Sequence, residues 1–273
     1  MSQNHYEFLD EGYTATVYRL PCTRKVCKLF LDGYKDTHFP VEKEAYERFT
    51  ARGHPPTILK YYGVDKENPA GVILELAEKG NLHKYRWDST RVFNNPPTRN
   101  DFYRWARQAV EALAFVHSCN ILHCDIHCLN FLLDENLDLK VADFAAASIE
   151  GRKPNSLYRL THQLFIKGRD RKEISIASEI FALGSAMYYM VAGDAPFFPE
   201  LDESRDREEI RRRIREKEFP DASELPALGA VIAKCWNLEY ESMKDILKGI
   251  DAESRRDVGE GIPNVRELPD RGM

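Results

Sequence analysis

Residues 121–134, with the sequence ILHCDIHCLNFLLD, set two histidines, two cysteines, two aspartates and one asparagine between apolar residues. Polar groups removed from water need hydrogen-bond partners, so a folded chain keeps such a segment only where each group is satisfied or performs a chemical task. The flanking residues at 121–122 and 131–133 have the character of strand and loop rather than helix. The segment therefore predicts a polar loop between two apolar stretches of chain.

Zinc binding is one interpretation of this loop. His123, Cys124, His127 and Cys128 are residue types that zinc prefers, and histidines four apart can meet on one face of a helix. The flanks do not favour a helix, however, and the sequence has no second cluster with ligand spacing. A buried turn with a purely structural role is the other non-catalytic interpretation. Both are weaker than a catalytic interpretation.

The catalytic interpretation starts from the acidic residues. Asp125 and Asn130 are five positions apart, and Asp143 follows Asp125 by eighteen positions, at the end of a predicted strand over 137–144. Phosphoryl transfer needs a carboxylate to orient the attacking hydroxyl, oxygen ligands for magnesium and a cation on the phosphates. The spacing therefore favours a phosphoryl-transfer site.

The motif His123-x-Asp125-x-x-x-x-Asn130, followed by Asp143-Phe144-Ala145, resembles the catalytic loop and metal motif of eukaryotic protein kinases. The resemblance covers about residues 8–250, and the wider pattern is similar to divergent kinase-like proteins of fungi. It implies that Asp125 orients the acceptor hydroxyl. It also implies that Asn130 and Asp143 hold Mg2+, and that Lys28 aligns the phosphates of ATP.

The resemblance extends to the groups around these residues. Glu42, seven positions before Phe49, is the expected partner of Lys28, with Glu44 as the rival. His127 stands where serine/threonine kinases place a lysine that contacts the transferred phosphate. The expected nucleotide-binding residues are Leu9, Gly12, Val17 and Val26, the hinge residues Leu74, Glu75 and Ala77, and Leu132.

Several positions depart from the family pattern. Only Gly12 remains of the glycine-rich loop, which predicts weakened ATP binding. Cys124 replaces the arginine that normally meets a phosphate on the activation segment, so phosphorylation there is not the expected on-switch. Ala145 replaces a glycine, which should stiffen the segment. The tripeptide A-P-E is missing, Met243 occupies the place of the arginine that pairs with its glutamate, and Glu179 replaces an aspartate.

The order of predicted elements indicates an α+β, bilobal fold. Strand patterns with one main helix, 39–53, fill a small N-terminal lobe over 1–77, which holds the nucleotide-binding loop and the hinge. A larger, mostly helical lobe over 78–250 holds the catalytic loop and the activation segment. A capping box at Thr98 opens one helix, and others are predicted around 177–192, 207–217, 226–236 and 240–250. The polar tail 251–273 is predicted to be poorly ordered.

The composition limits the kinds of partner and the cellular compartment that we expect for this chain. The formal charge of −5 argues against a nucleic-acid binder, and the apolar stretch 180–193 is too short for a membrane span. Six sparse cysteines indicate a reduced intracellular protein, with the cytoplasm as the expected compartment and the nucleus as the other candidate. We expect a monomer or a weak oligomer that acts on a protein substrate.

Three functions remain in competition. The first is an ATP- and Mg2+-dependent protein kinase acting on serine or threonine. The second is a pseudokinase that keeps the fold as a nucleotide-binding or scaffold module, favoured by the damaged glycine-rich loop. The third is a small-molecule phosphotransferase of the aminoglycoside or choline type, because His-x-Asp-x-His-x-x-Asn resembles the loop of that class.

Overall fold

A five-stranded antiparallel sheet forms the N-terminal lobe, with the strand order β1-β2-β3-β5-β4. The computed structural model describes residues 6–89, 96–165 and 174–259. The strands are β1 (Glu7–Glu11), β2 (Ala15–Arg19), β3 (Lys25–Phe30), β4 (Tyr61–Val64) and β5 (Gly71–Glu75). Side chains alternate along β3, so Val26, Lys28 and Phe30 share one buried face.

Helix α1 (His38–Arg52) lies between β3 and β4 in the chain and packs against the sheet. It ends at Gly53, whose φ of 89° is the left-handed conformation that glycine adopts without steric cost. Its buried residues, Glu42, Ala45, Tyr46 and Phe49, occupy positions i, i+3, i+4 and i+7 and form one face. The predicted helix over 39–53 is confirmed within one residue at each end.

The C-terminal lobe is mostly helical. Its helices are α2 (Leu82–Trp87), α3 (Arg99–Ser118), α4 (Ile176–Ala192), α5 (Arg207–Glu216), α6 (Gly229–Asn237) and α7 (Met243–Gly259). Helix α4 is buried along almost its whole length, and Gly184 lets α6 approach it closely, since an added Cβ would lie 2.7 Å from the Cβ of Cys235. The indole of Trp236 donates to Ser185 Oγ at 3.0 Å across the same contact. The bilobal α+β prediction is confirmed.

Short strands place the polar loop near the junction of the lobes. They are β6 (Gly80–Asn81), β7 (Ile121–Leu122), β8 (Phe131–Leu133), β9 (Leu139–Val141) and β10 (Ser148–Ile149). Strands β6, β8 and β9 form one antiparallel sheet, and β7 pairs with β10. The loop 123–130 therefore connects strands of two different small sheets.

The C-terminal boundary differs from the prediction. Helix α7 continues to Gly259, so residues 251–259 are helical rather than a poorly ordered tail, and residues 260–273 lie outside the described ranges. Polar contacts hold this extension, because the Tyr103 hydroxyl donates to Asp257 Oδ2 at 2.6 Å and Glu253 Oε2 accepts the Val231 N–H at 3.1 Å. Residues that form polar contacts of this kind do not produce an apolar periodicity from which a helix could be predicted.

All six cysteines lie in the described ranges and are free; Cys22 is exposed and the other five are buried. No helix among the described residues combines the length and apolar character needed to cross a membrane.

Candidate active site

Lys28 joins the two lobes through two carboxylates. Its Nζ lies 2.7 Å from Glu42 Oε2 on α1 and 2.7 Å from Asp143 Oδ1, which follows β9. Glu42 is fully buried, and Lys28 is nearly so. The rival residue Glu44 instead pairs with Arg48 and with Arg152. The structure thus brings Lys28, Glu42 and Asp143 together and leaves Glu44 outside.

The position of the Lys28 cation between the carboxylates of Glu42 and Asp143 determines how each of the three side chains is protonated. Burial alone would lower the pKa of Lys28, but the charges of Asp143 and Glu42 raise it overall, so the lysine stays protonated. Burial raises the pKa of Glu42 to about 7, against the opposing attraction of Lys28. Burial also opposes ionisation of Asp143, but the charge of Lys28 lowers its pKa overall. At neutral pH the Lys28–Asp143 pair is ionised, and Glu42 is near its midpoint.

Phe144 packs into the N-terminal lobe beside this group. Its N–H donates to Glu42 Oε1 at 3.3 Å, and its ring centroid lies 4.8 Å from that of Phe49 and 4.9 Å from that of His123. The positive φ falls on Asp143, at 63°, and not on Ala145. The alanine therefore carries no left-handed strain in this arrangement.

Asp125 is held by two neighbours in its own loop. The side-chain amide of Asn130 donates to Asp125 O at 2.8 Å and to Asp125 Oδ2 at 3.0 Å, and His127 Nε2 lies 3.2 Å from Oδ1. Burial would raise the pKa of Asp125, but the bonds and charge of His127, with help from His123 and Asn130, lower it to about 2. The carboxylate is therefore ionised at neutral pH and can accept a hydrogen bond from a hydroxyl.

The ring of His127 has a defined hydrogen-bond pattern. Its Nδ1 accepts the N–H of Leu129 at 3.2 Å, so in the neutral ring the proton is on Nε2, which faces Asp125. His123 repeats the pattern, because its Nδ1 accepts the Asp125 N–H at 3.2 Å and its Nε2 donates to Ala142 O at 3.0 Å. Both histidines stabilise the loop around Asp125, and His127 is buried rather than projecting towards solvent.

The residues expected at the nucleotide are spread over both lobes. Val26 pairs with Leu74 between β3 and β5, and both are buried. Glu75 ends β5, with Ala77 two positions later, and the carbonyl of Ala77 accepts the Gly80 N–H at 3.1 Å. Leu9 is 40% exposed, while Val17 and Leu132 are partly buried.

Gly12 lies in the turn between β1 and β2. Its N–H donates to Ala15 O at 2.9 Å, and its φ lies outside the left-handed region. This N–H closes the hairpin and is bonded within the turn. The one glycine that remains of the glycine-rich loop therefore has its N–H engaged by Ala15 in this arrangement.

Comparison with known families agrees with this geometry. The family model described as "Protein kinase domain" matches residues 24–254, most of the chain. The chain belongs to the protein kinase family. The match begins at Arg24, after the turn in which the glycines are missing.

Curated relatives of this kinase domain include proteins named serine/threonine-protein kinase PLK4. The relative from Drosophila willistoni is 28% identical over 202 residues, which cover 69% of this chain and 25% of that protein. The relative from Aedes aegypti is 25% identical over 204 residues, covering 71% of this chain and 26% of that protein. The chain thus spans about a quarter of the length of these relatives.

The zinc interpretation does not fit the kinase domain. His123 and His127 use both ring nitrogens as described above, and the thiols of Cys124 and Cys128 are oriented towards the carbonyls of Leu122 and Ala186. Within residues 6–89, 96–165 and 174–259, no group of three or more His, Cys, Asp and Glu side chains is arranged to hold a metal ion.

The sequence did not reveal how Glu179 supports the catalytic loop. This carboxylate on α4 is fully buried and accepts the N–H groups of His123, at 3.1 Å, and Cys124, at 2.9 Å. His117 Nε2 lies 3.0 Å from Glu179 Oε2, and the Tyr158 hydroxyl donates to Oε1. In the sequence, Glu179 stands out only as the residue that replaces the family's aspartate at the start of this helix, and nothing in its spacing indicates His117 or Tyr158.

Proposed function

We propose that this chain is an ATP- and magnesium-dependent protein kinase that transfers the γ-phosphate to a serine or threonine hydroxyl. The observation that carries the proposal is the Asp125 carboxylate, held by Asn130 and His127 in the same domain as the Lys28–Asp143 ion pair. An ionised carboxylate can accept a hydrogen bond from a hydroxyl and orient it for attack. The names of the curated relatives support serine or threonine as the acceptor.

The side chains at this site are suited to bind magnesium and a nucleoside triphosphate. Magnesium prefers oxygen ligands and is commonly completed by phosphates and water rather than by a full protein cage. Because the amide nitrogen of Asn130 is bonded to Asp125, its Oδ1 is the atom left for a cation. Asp143 offers a carboxylate, of which Oδ1 already accepts Lys28. When bound, ATP and Mg2+ supply the phosphoryl group and the neutralising charge.

In the proposed reaction each residue has a positional task. Asp125 would accept a hydrogen bond from the acceptor hydroxyl and take its proton as the hydroxyl oxygen bonds to the γ-phosphorus, the bond from that phosphorus to the β-phosphate oxygen breaks, and ADP leaves. Lys28, held by Glu42, presents a cation to the α- and β-phosphates. His127 keeps Asp125 in place through its Nε2–H. The hinge backbone at Glu75 and Ala77 would bind adenine, and Leu9, Val17, Val26 and Leu132 would enclose its ring.

Phosphate transfer from labelled ATP to the chain itself or to a generic protein tests the proposal. Asp125→Asn and Lys28→Met should each lower the rate by about 100-fold or more, the range for loss of a general base or phosphate-positioning cation. Lys25→Met is the matched control, since Lys25 lies on the same strand over the ring of Tyr62 and should leave the rate unchanged.

Two other results would replace the proposal. Binding of Mg2+ and ATP without any transfer would favour the pseudokinase, which the engaged Gly12 N–H supports. Transfer to an aminoglycoside or choline but to no protein would favour the small-molecule phosphotransferase. The family match to protein kinase domains weighs against the latter.

A further inference from the structure

Tyr158 lies fifteen positions after Asp143, in the activation segment, and has no task in the proposed reaction. Its side chain is only 6% exposed. Burial and the neighbouring Glu179 carboxylate raise its pKa far above the usual value, so its hydroxyl remains a donor. That hydroxyl donates to Glu179 Oε1.

Glu179 is the point at which Tyr158 meets the catalytic loop. The same oxygen, Oε1, also accepts the N–H of Cys124, and Oε2 accepts the N–H of His123. Burial opposes ionisation of Glu179, but the hydrogen bond and charge of His117, together with the bond from Tyr158, lower its pKa overall. A buried carboxylate with this many donors is a rigid anchor, because removing any donor leaves part of the charge unsatisfied.

Cys124 explains why such an anchor is needed. The residue adopts a φ of 66°, a left-handed conformation that is costly outside glycine and persists only where the surroundings enforce it.

Cys124 also carries no positive charge, so this position offers nothing to hold a phosphate on the activation segment. A phosphate on Tyr158 would add negative charge directly against Glu179.

We propose that Tyr158 is a positioning residue whose hydroxyl, bound to Glu179, fixes the activation segment against the catalytic loop without phosphorylation. Through the N–H groups of His123 and Cys124 the same carboxylate fixes the backbone that precedes Asp125. The functional consequence rests on the proposed kinase activity, whereas the anchoring itself does not.

Tyr158→Phe removes only the hydroxyl and tests both parts. We expect trypsin to cut after Arg159 about tenfold faster, since loss of a hydrogen bond to a charged group raises the open population of the segment by about that factor. The kcat for phosphate transfer should fall about tenfold, while the Kd for ATP stays within about twofold, because Tyr158 holds the catalytic loop and not the nucleotide. Phosphatase treatment of the wild-type chain should leave its kcat unchanged.

Tyr103→Phe is the matched control for a general loss of stability. Tyr103 is equally buried and also donates to a carboxylate, Asp257 Oδ2 at 2.6 Å, but between α3 and α7. It should leave cleavage after Arg159 and kcat as in the wild type. Equal cleavage rates in the two variants, or loss of wild-type kcat on phosphatase treatment, would overturn the inference. If the wild type transfers no phosphate, the proposed function fails, and the cleavage rates alone decide whether Tyr158 anchors the segment.

Discussion

Glu42 is fully buried, yet it lies in contact with a lysine that also serves Asp143. A single cation cannot fully compensate two carboxylates in a medium that solvates charge poorly, and the more deeply buried carboxylate takes up a proton more readily. This explains why the pKa of Glu42 rises to about 7 while that of Asp143 falls.

The raised pKa of Glu42 predicts a pH dependence. Above pH 7 the carboxyl is ionised and holds Lys28; below pH 7 it is neutral and that attraction is lost. The rate of phosphate transfer should therefore rise between pH 6 and pH 8 with a midpoint near 7. In Glu42→Gln the rate at pH 8 should be lower by about tenfold or more and this rise should disappear. Glu44→Gln, on the same helix, is the control and should keep the rise in rate with pH. If the rise persisted in Glu42→Gln, it would belong to the titration of another group.

His127 gives a second prediction at the catalytic loop. In His127→Ala, Asp125 loses a hydrogen-bond donor, so its pKa should rise from about 2 and its carboxylate should be less well oriented. We expect kcat to fall about tenfold, with the KM for ATP unchanged. An increase in KM with unchanged kcat would instead place His127 at the bound phosphates, as the family resemblance implies.

Helix α3 shows which elements a sequence can specify by itself. The Thr98 hydroxyl accepts the Asp101 N–H at 3.3 Å, and the Asp101 carboxylate accepts the Thr98 N–H at 2.9 Å, forming the predicted capping box. Both partners lie within four consecutive residues, so the motif is visible locally. The Glu179 cluster could not be found in this way, because it joins residues separated by 21 to 62 positions. The ring direction of His127 likewise depends on a backbone N–H that becomes defined only on folding.

The cap of α3 predicts a local effect on stability. Thr98→Ala should lower the free energy of unfolding by about 1 kcal/mol, measured by urea denaturation, because the Asp101 N–H loses its hydroxyl acceptor and the Asp101 carboxylate loses a hydroxyl donor. Phosphate transfer at 25 °C should not change. Thr23→Ala, in an exposed turn of the other lobe, is the control and should have a smaller effect. A loss equal to that of the control would show that the box is not energetically important.

The boundary of the folded domain follows from how α7 lies on α3. Sequence patterning placed the end of the domain at about residue 250, where the buried apolar positions stop at Ile250. The helix continues because Glu253 and Asp257 bond to side-chain and backbone groups of α3 and α6. Patterns of apolar residues report on cores, so a boundary held by buried polar contacts leaves no signal in them.

Two shortened chains test this boundary. A chain ending at Ile250 loses the bonds of Glu253 and Asp257 and leaves the Tyr103 hydroxyl without its partners. Its Tm should lie roughly 5–10 °C below that of a chain ending at Gly259, as expected for about 3 kcal/mol lost from a domain of this size. Equal Tm values for the two chains would show that residues 251–259 contribute nothing to the fold.

The distribution of cysteines allows unfolding of this molecule to be followed by counting the thiols that react with an alkylating reagent. Cys22, in the turn between β2 and β3, is exposed, whereas burial raises the pKa values of the other five thiols. Alkylating reagents attack thiolates that they can reach, so the native chain should take up one label and the unfolded chain six. Cys27 adjoins Lys28, Cys124 and Cys128 lie within the catalytic loop, and Cys235 lies on α6. The order in which these thiols become labelled would therefore map the sequence of local openings.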